Sequence, residues 1–192
     1  MKLLAIETAT EACSAALLVA DEVIERYQLA PRQHNELILP MCATLLAEAE
    51  INLTQLDAIA FGCGPGAFTG VRIAGGITQG IALAHDLPVA SVSTLANSAH
   101  QAPIAAQQLV LASIDARMQE VYWAVYKQHS AAMPELVLPE RVQAPAAIAV
   151  PDHAIDYGLG PGWGSYQRLL QASIHLHEQQ LDGQALPRAQ CT

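Results

Sequence analysis

The stretch GCGPGAFTGVRIAGG, residues 62–76, places glycines around a proline and then continues into a run of small residues. An apolar run from Leu56 to Phe61 precedes it, so the pattern predicts a strand, a tight turn and a helix over residues 69–85. Glycine reaches the left-handed backbone region that such a turn uses, and Thr69 is placed to cap the helix. The turn either only redirects the chain or, through free N–H groups at the helix start, binds an anion. No lysine follows the glycines as it does in a Walker phosphate-binding loop, so the sequence does not decide between these two roles.

The composition indicates a folded protein that does not bind nucleic acid by itself. Of 192 residues, 52% are hydrophobic and 14% are charged, which suits one domain or two small lobes. The net charge is −9, whereas nucleic-acid binders carry a basic face. Glu7 and Glu11 interrupt the apolar N-terminal run, so we expect no signal peptide. With no apolar run of about 18 residues, we expect no membrane span and a cytoplasmic protein. The four cysteines lack C-x-x-C spacing and are expected to be reduced.

The N-terminal half predicts a mixed sheet with helices. Strands are expected at residues 2–7, 12–19 and 23–29, as an antiparallel meander, and then at 56–61 and 87–92. Helices are expected at residues 34–50, 69–85 and 93–100. Pro40 is expected to lie inside a kinked helix.

Two helices of this half are apolar over a wider arc than contact with one sheet requires. The glycines of the second helix cost about 1 kcal/mol each in helix propensity, and they let another backbone approach closely. We therefore predict a helix-on-helix interface with another subunit, the alternative being a thick core within one chain. The partner-facing positions are expected to be Leu37, Ile38, Met41, Leu45, Val71, Ala74, Gly75 and Thr78, with the closest approach at Ala74, Gly75 and Thr78.

The C-terminal half repeats the order of strands, glycine turn and helix. Strands are expected at residues 108–114, 120–128, 136–142 and 157–159, with a turn at 115–118 and a short helix at 142–148. A second Gly-Pro-Gly turn follows at 158–164, and then a helix from 165 to about 172. The fold class is therefore expected to be α/β, with two lobes at 1–103 and 104–192, each a mixed sheet flanked by helices.

The titratable residues predict little chemistry. Glu7 and Thr8, at a strand end, together with Gly64 and Gly66 form a weak candidate site for a magnesium-bound phosphate. The alternative is a simple turn capped by Thr10.

Other candidate groups fit structural roles better. Asp115 and Arg117 are expected to form a local ion pair, and His175 and His177 lack further ligands at metal spacing. No Ser/His/Asp set can be assembled from the sequence. We expect no catalytic residue, no resident metal and no cofactor.

Three stretches together resemble one family. They are LAIETATEACS (residues 4–14), GPGAFTGVRI (64–73) and DARMQEVY (115–122). Together they resemble the TsaB (YeaZ) family, which belongs to the bacterial machinery for N6-threonylcarbamoyl modification of adenosine 37 in tRNA. The resemblance implies an actin-like, RNase H-like ATPase fold with two lobes. It also implies a scaffold and activator that pairs, through helices of its N-terminal lobe, with the catalytic paralogue TsaD or with itself. An ATPase, TsaE, is the implied third partner, and tRNA is reached only through the complex.

Departures from the related motifs favour a non-catalytic role. The TsaD metal-binding segment V-N-H-L-E-G-H corresponds to residues 92–98, where Thr94 and Ser98 replace both histidines. Glu7 and Ala9 differ from the usual phosphate loop of actin-like proteins. The alternatives are a small actin-like phosphotransferase using Glu7 and the glycine turn, and a glycoprotease-like metallopeptidase. Similar proteins continue past a segment like residues 185–190 into a helix and strand, so we expect a truncated form.

Overall fold

The computed structural model describes residues 1–129, 133–150, 154–174 and 181–182. Contacts between Cα atoms group the chain into two compact units, the first formed by residues 1–94 and the second beginning at Leu95. The sequence placed the division later, after residue 103. The difference arises because Leu95 and Ala99 share a core with Val110 and other residues of the second unit.

The first unit is built on a mixed sheet of five strands. These are β1 (Lys2–Glu7), β2 (Ala12–Val19), β3 (Glu22–Leu29), β4 (Ala58–Gly62) and β5 (Val89–Val92). Their order is β3-β2-β1-β4-β5, in which β1, β2 and β3 are antiparallel and β1, β4 and β5 are parallel. The predicted meander is confirmed. The strand predicted from Leu56 starts later, because residues 53–55 form a 3₁₀ turn ahead of it.

Two helices, α1 (His34–Glu48) and α2 (Phe68–His85), pack on one face of this sheet. Their buried side chains join those of β1, β2 and β4 in one hydrophobic core, which includes Ile38, Leu45 and Ala74. Burial of such side chains is the main favourable term in folding. Pro40 lies inside α1, as predicted. Both helices, which are apolar over wide arcs, therefore bury part of their apolar surface against the sheet of the first unit.

The second unit repeats the strand order of the first. It contains helix α3 (Thr94–His100) from Leu95 onward, strands β6 (Leu109–Arg117), β7 (Glu120–Lys127), β8 (Glu135–Gln143), β9 (Tyr157–Leu159) and β10 (Leu181–Asp182), and helix α4 (Pro161–Ser173). The sheet order is β10-β9-β6-β7-β8, with β6, β7 and β8 antiparallel and β9 parallel to β6. The predicted α/β class with two mixed sheets is confirmed.

Separate cores lie on the two faces of the second sheet. Leu95 of α3 belongs to one, and Trp163 and Leu170 of α4 belong to the other. The indole N–H of Trp163 donates to the Leu111 carbonyl over 3.0 Å, which ties α4 to β6. The helix lies where the second glycine turn predicted it, but it begins at Pro161 rather than at residue 165. Proline favours the first turn of a helix because its missing N–H has no partner there.

Two other local predictions for this unit are wrong. The turn expected at 115–118 is shorter, because β6 continues to Arg117 with a bulge at Asp115. The helix expected at 142–148 is only a 3₁₀ turn, Pro145–Ala147, after β8. The expectations for His175, His177 and residues 185–190 lie outside the described residues. Within the described part of the chain, no helix combines the length and apolar character needed to cross a membrane.

Candidate functional site

The glycine turn joins β4 to α2. Gly64 has a φ of 95°, in the left-handed region that glycine adopts without strain. The Ala67 N–H donates to the Ala9 carbonyl over 2.7 Å, so a backbone contact holds the residue just before the helix. The N-cap is Ala67, which makes no side-chain cap. The prediction that Thr69 caps the helix is therefore wrong, because Thr69 already lies within the first turn of α2.

Three glycines around this turn make room for the connection between β1 and β2. An added Cβ would overlap the Glu7 carboxylate at Gly62, the Ala9 carbonyl at Gly66 and the Thr8 carbonyl at Gly70. Each overlap involves an atom of the protein itself. These glycines are required for close packing inside the first unit.

The two candidate phosphate ligands, Glu7 and Thr8, lie at this turn and are buried. The Glu7 carboxylate accepts the Ala9 N–H over 2.8 Å and the Thr94 hydroxyl over 3.4 Å. The Thr8 hydroxyl donates to the Gly70 carbonyl over 2.7 Å. The geometry thus gives Glu7 and Thr8 a role in joining β1 to the glycine turn and α2.

The eight positions predicted to face a partner divide into two groups. Four of them, Ile38, Leu45, Ala74 and Thr78, are fully buried, and the other four, Leu37, Met41, Val71 and Gly75, are half-buried. An added Cβ at Gly75 would lie 3.7 Å from Cε2 of Phe61 on β4. The predicted point of closest approach is therefore the contact of α2 with its own sheet. A partner cannot reach Ala74 or Thr78 while the unit stays closed.

The opposite side of α2 is exposed. Phe68 is 71% exposed and Leu83 is 88% exposed. Between them, Gly76 and Gly80 have no atom within 4 Å of an added Cβ. The Arg72 guanidinium lies 3.4 Å from the centroid of the Phe68 ring and donates to the Phe68 carbonyl over 3.1 Å, which holds the ring in place. We call Phe68, Arg72, Gly76, Gln79, Gly80 and Leu83 the α2 stripe.

Helix α1 adds exposed apolar residues. Leu39 is 51% exposed, and Ala43 and Ala47 follow at intervals of four residues on the exposed side. Since both helices lie on the same face of the sheet, their exposed sides point away from it together. On α2 the sequence placed the partner on the other side of the helix, at Val71, Ala74, Gly75 and Thr78. In a helix that is apolar nearly all round, periodicity does not say which side the sheet takes.

The cysteines of the first unit differ in their surroundings. Burial raises the pKa of Cys13 to about 11 and that of Cys42 to about 12, so both thiols are protonated at neutral pH. Cys63, in the glycine turn, is exposed. Among residues 1–129, 133–150, 154–174 and 181–182, no group of three or more His, Cys, Asp or Glu side chains is placed to hold a metal ion.

In the second unit, the predicted local ion pair is confirmed. Asp115 Oδ2 lies 3.9 Å from Nη1 of Arg117, and Asp115 Oδ1 accepts the Arg117 N–H over 2.8 Å. Both contacts lie at the end of β6. They explain the two residues as parts of a turn without requiring catalysis.

Known proteins match this chain over most of its length. A family model described as "TsaD: tRNA N6-adenosine threonylcarbamoyltransferase" matches residues 19–162. The Escherichia coli "tRNA threonylcarbamoyladenosine biosynthesis protein TsaB" is 50% identical over 129 residues, which cover 67% of this chain and 56% of that protein. The Haemophilus influenzae protein of the same description is 39% identical over 183 residues, covering 91% and 78%. The chain thus matches little more than half the length of the E. coli relative.

A solved structure agrees with the sequence matches. "YeaZ from Pseudomonas aeruginosa" superposes with a TM-score of 0.88 at 46% identity, covering 98% of this chain and 86% of that one. Because the superposition covers 98% of this chain, it includes the described strands and helices of both units. The chain belongs to the TsaB (YeaZ) family and shares its α/β fold.

Proposed function

We propose that this chain is a scaffold and activator subunit for threonylcarbamoyl transfer to adenosine 37 of tRNA, and that it pairs with a TsaD-like catalytic subunit. The observation that carries the proposal is family membership: the matched relatives are described as tRNA threonylcarbamoyladenosine biosynthesis proteins. The exposed apolar surface of α1 and α2 supports a role that depends on a partner, because large exposed apolar patches mark interaction sites.

The proposed role is non-catalytic. Thr94 and Ser98 occupy the positions at which the TsaD metal-binding segment has histidines, and both are buried. Thr94 donates to Glu7, so its hydroxyl is part of the packing around the glycine turn. Neither side chain supplies the imidazole that a metal centre of that type needs. The transfer chemistry is therefore assigned to the partner subunit.

The proposed contact surface is the α2 stripe together with Leu39, Ala43 and Ala47. Phe68 and Leu83 stand at the two ends of the stripe as apolar anchors. The open backbone at Gly76 and Gly80 lets a second helix lie close between them. In isolation, the same surface is proposed to pair with a second copy of the chain, since helical surfaces of this kind can be self-complementary.

The remaining partners are proposed on charge and family grounds. A TsaE-like ATPase is the third protein component, and tRNA is contacted only through the complex, because a chain of net charge −9 repels the phosphate backbone. The proposed compartment is the cytoplasm, where this modification takes place in bacteria.

Reconstitution tests the proposal. A TsaD-like subunit, a TsaE-like ATPase, threonylcarbamoyl-adenylate and unmodified tRNA are incubated with and without this chain, and modified adenosine is measured by mass spectrometry of the nucleosides. We expect modification to depend on the chain. Heat-denatured chain is the control for carried-over activity. Equal modification in its absence would reject the activator role.

A further inference from the structure

We draw no further inference here: the strongest candidate, the open cavity of the second unit that is lined by Leu109, Lys127, Glu135 and Leu136, carries none, because its two charged side chains pair with each other and nothing in the described part of the chain shows what would fill it.

Discussion

Glycine has two opposite roles in this chain. At Gly66 and Gly70 the missing side chain makes room for backbone atoms of the β1–β2 connection, whereas at Gly76 and Gly80 it leaves open space on the surface of α2. The sequence shows the same letter at all four positions. Only the neighbouring atoms separate a glycine that packing requires from one that leaves the surface of the helix open.

Alanine substitutions should separate these roles. Gly66→Ala is expected to lower the free energy of unfolding by about 1–3 kcal/mol, because its Cβ would overlap the Ala9 carbonyl. Gly76→Ala is expected to raise it by up to about 1 kcal/mol, since alanine favours the helix and meets no atom there. Urea denaturation followed by circular dichroism measures both. Equal effects in the two variants would contradict the packing of the glycine turn.

The buried thiols lead to a prediction about reactivity and pH. At pH 8, alkylation followed by peptide mass spectrometry should label Cys63 and leave Cys13 and Cys42 unlabelled, because burial raises the pKa values of the last two to about 11 and about 12. The folded state then holds these protons more tightly than the unfolded state. Stability from this source is present below pH 9 and is lost as the pH rises towards 12. In denaturant all three should react, and labelling of Cys42 in the native protein would contradict its burial.

At the scale of elements, α2 has one side on the sheet and the other in solvent. Ala74 and Thr78 are fully buried, and Leu83 is almost fully exposed. The sequence placed Ala74 among the positions expected to face a partner subunit. The structure reverses this expectation, since a charge there would enter the core of the first unit.

Charged substitutions on the two sides of α2 should therefore have different effects, one on pairing and the other on folding. Leu83→Asp is expected to keep the unfolding transition and to abolish pairing with a second copy or with a TsaD-like subunit, as judged by light scattering after size-exclusion chromatography. Ala74→Asp is expected to lose the folded first unit, because Ala74 is fully buried and a carboxylate placed there would be removed from water. Leu169→Asp, at an exposed leucine of α4, is the control for added charge. A stable, folded Ala74→Asp variant would show that the orientation of α2 is wrong.

At the scale of the whole molecule, two features are evident, namely the repeated strand order of the two sheets and the excess of acidic side chains. Both sheets have the same strand order, and in each the fourth strand along the chain is followed by a Gly-Pro-Gly turn and a helix. Eighteen acidic side chains against nine basic ones make the chain acidic overall. That balance favours protein partners over nucleic acid.

The chain alone is therefore expected not to bind tRNA at about 0.15 M salt, because its nine basic side chains, which would release counterions from the phosphate backbone, are outnumbered by eighteen acidic ones. Filter binding or gel retardation with unmodified tRNA checks this. Addition of a TsaD-like subunit should produce retention if the complex supplies the basic surface. Retention by the isolated chain, with a steep loss on adding salt, would contradict the prediction.

Much of the secondary structure follows from the sequence. The strands at Lys2–Glu7, Ala12–Val19 and Tyr157–Leu159 have the predicted bounds, because short apolar runs between polar or glycine-rich turns leave little choice. The prediction for Thr69 is wrong because the hydrogen bond from Ala67 to Ala9, which is distant in the chain, holds the residue before the helix. The prediction for residues 115–118 is wrong because Arg117 pairs with Glu120 across the hairpin, which extends β6 beyond Asp115.

The sequence by itself determined the α/β class, the two glycine turns, the family resemblance and the acidic character of the chain, because these depend on local pattern, motif and composition. Tertiary structure alone decided which side of α2 meets the sheet, and so moved the proposed contact surface from Ala74 and Thr78 to the α2 stripe. It also showed that Glu7 and the glycines of residues 62–70 pack on each other. The physical reason is that a helix apolar on all sides has no periodic signal for its orientation, so packing against residues distant in the chain must choose it.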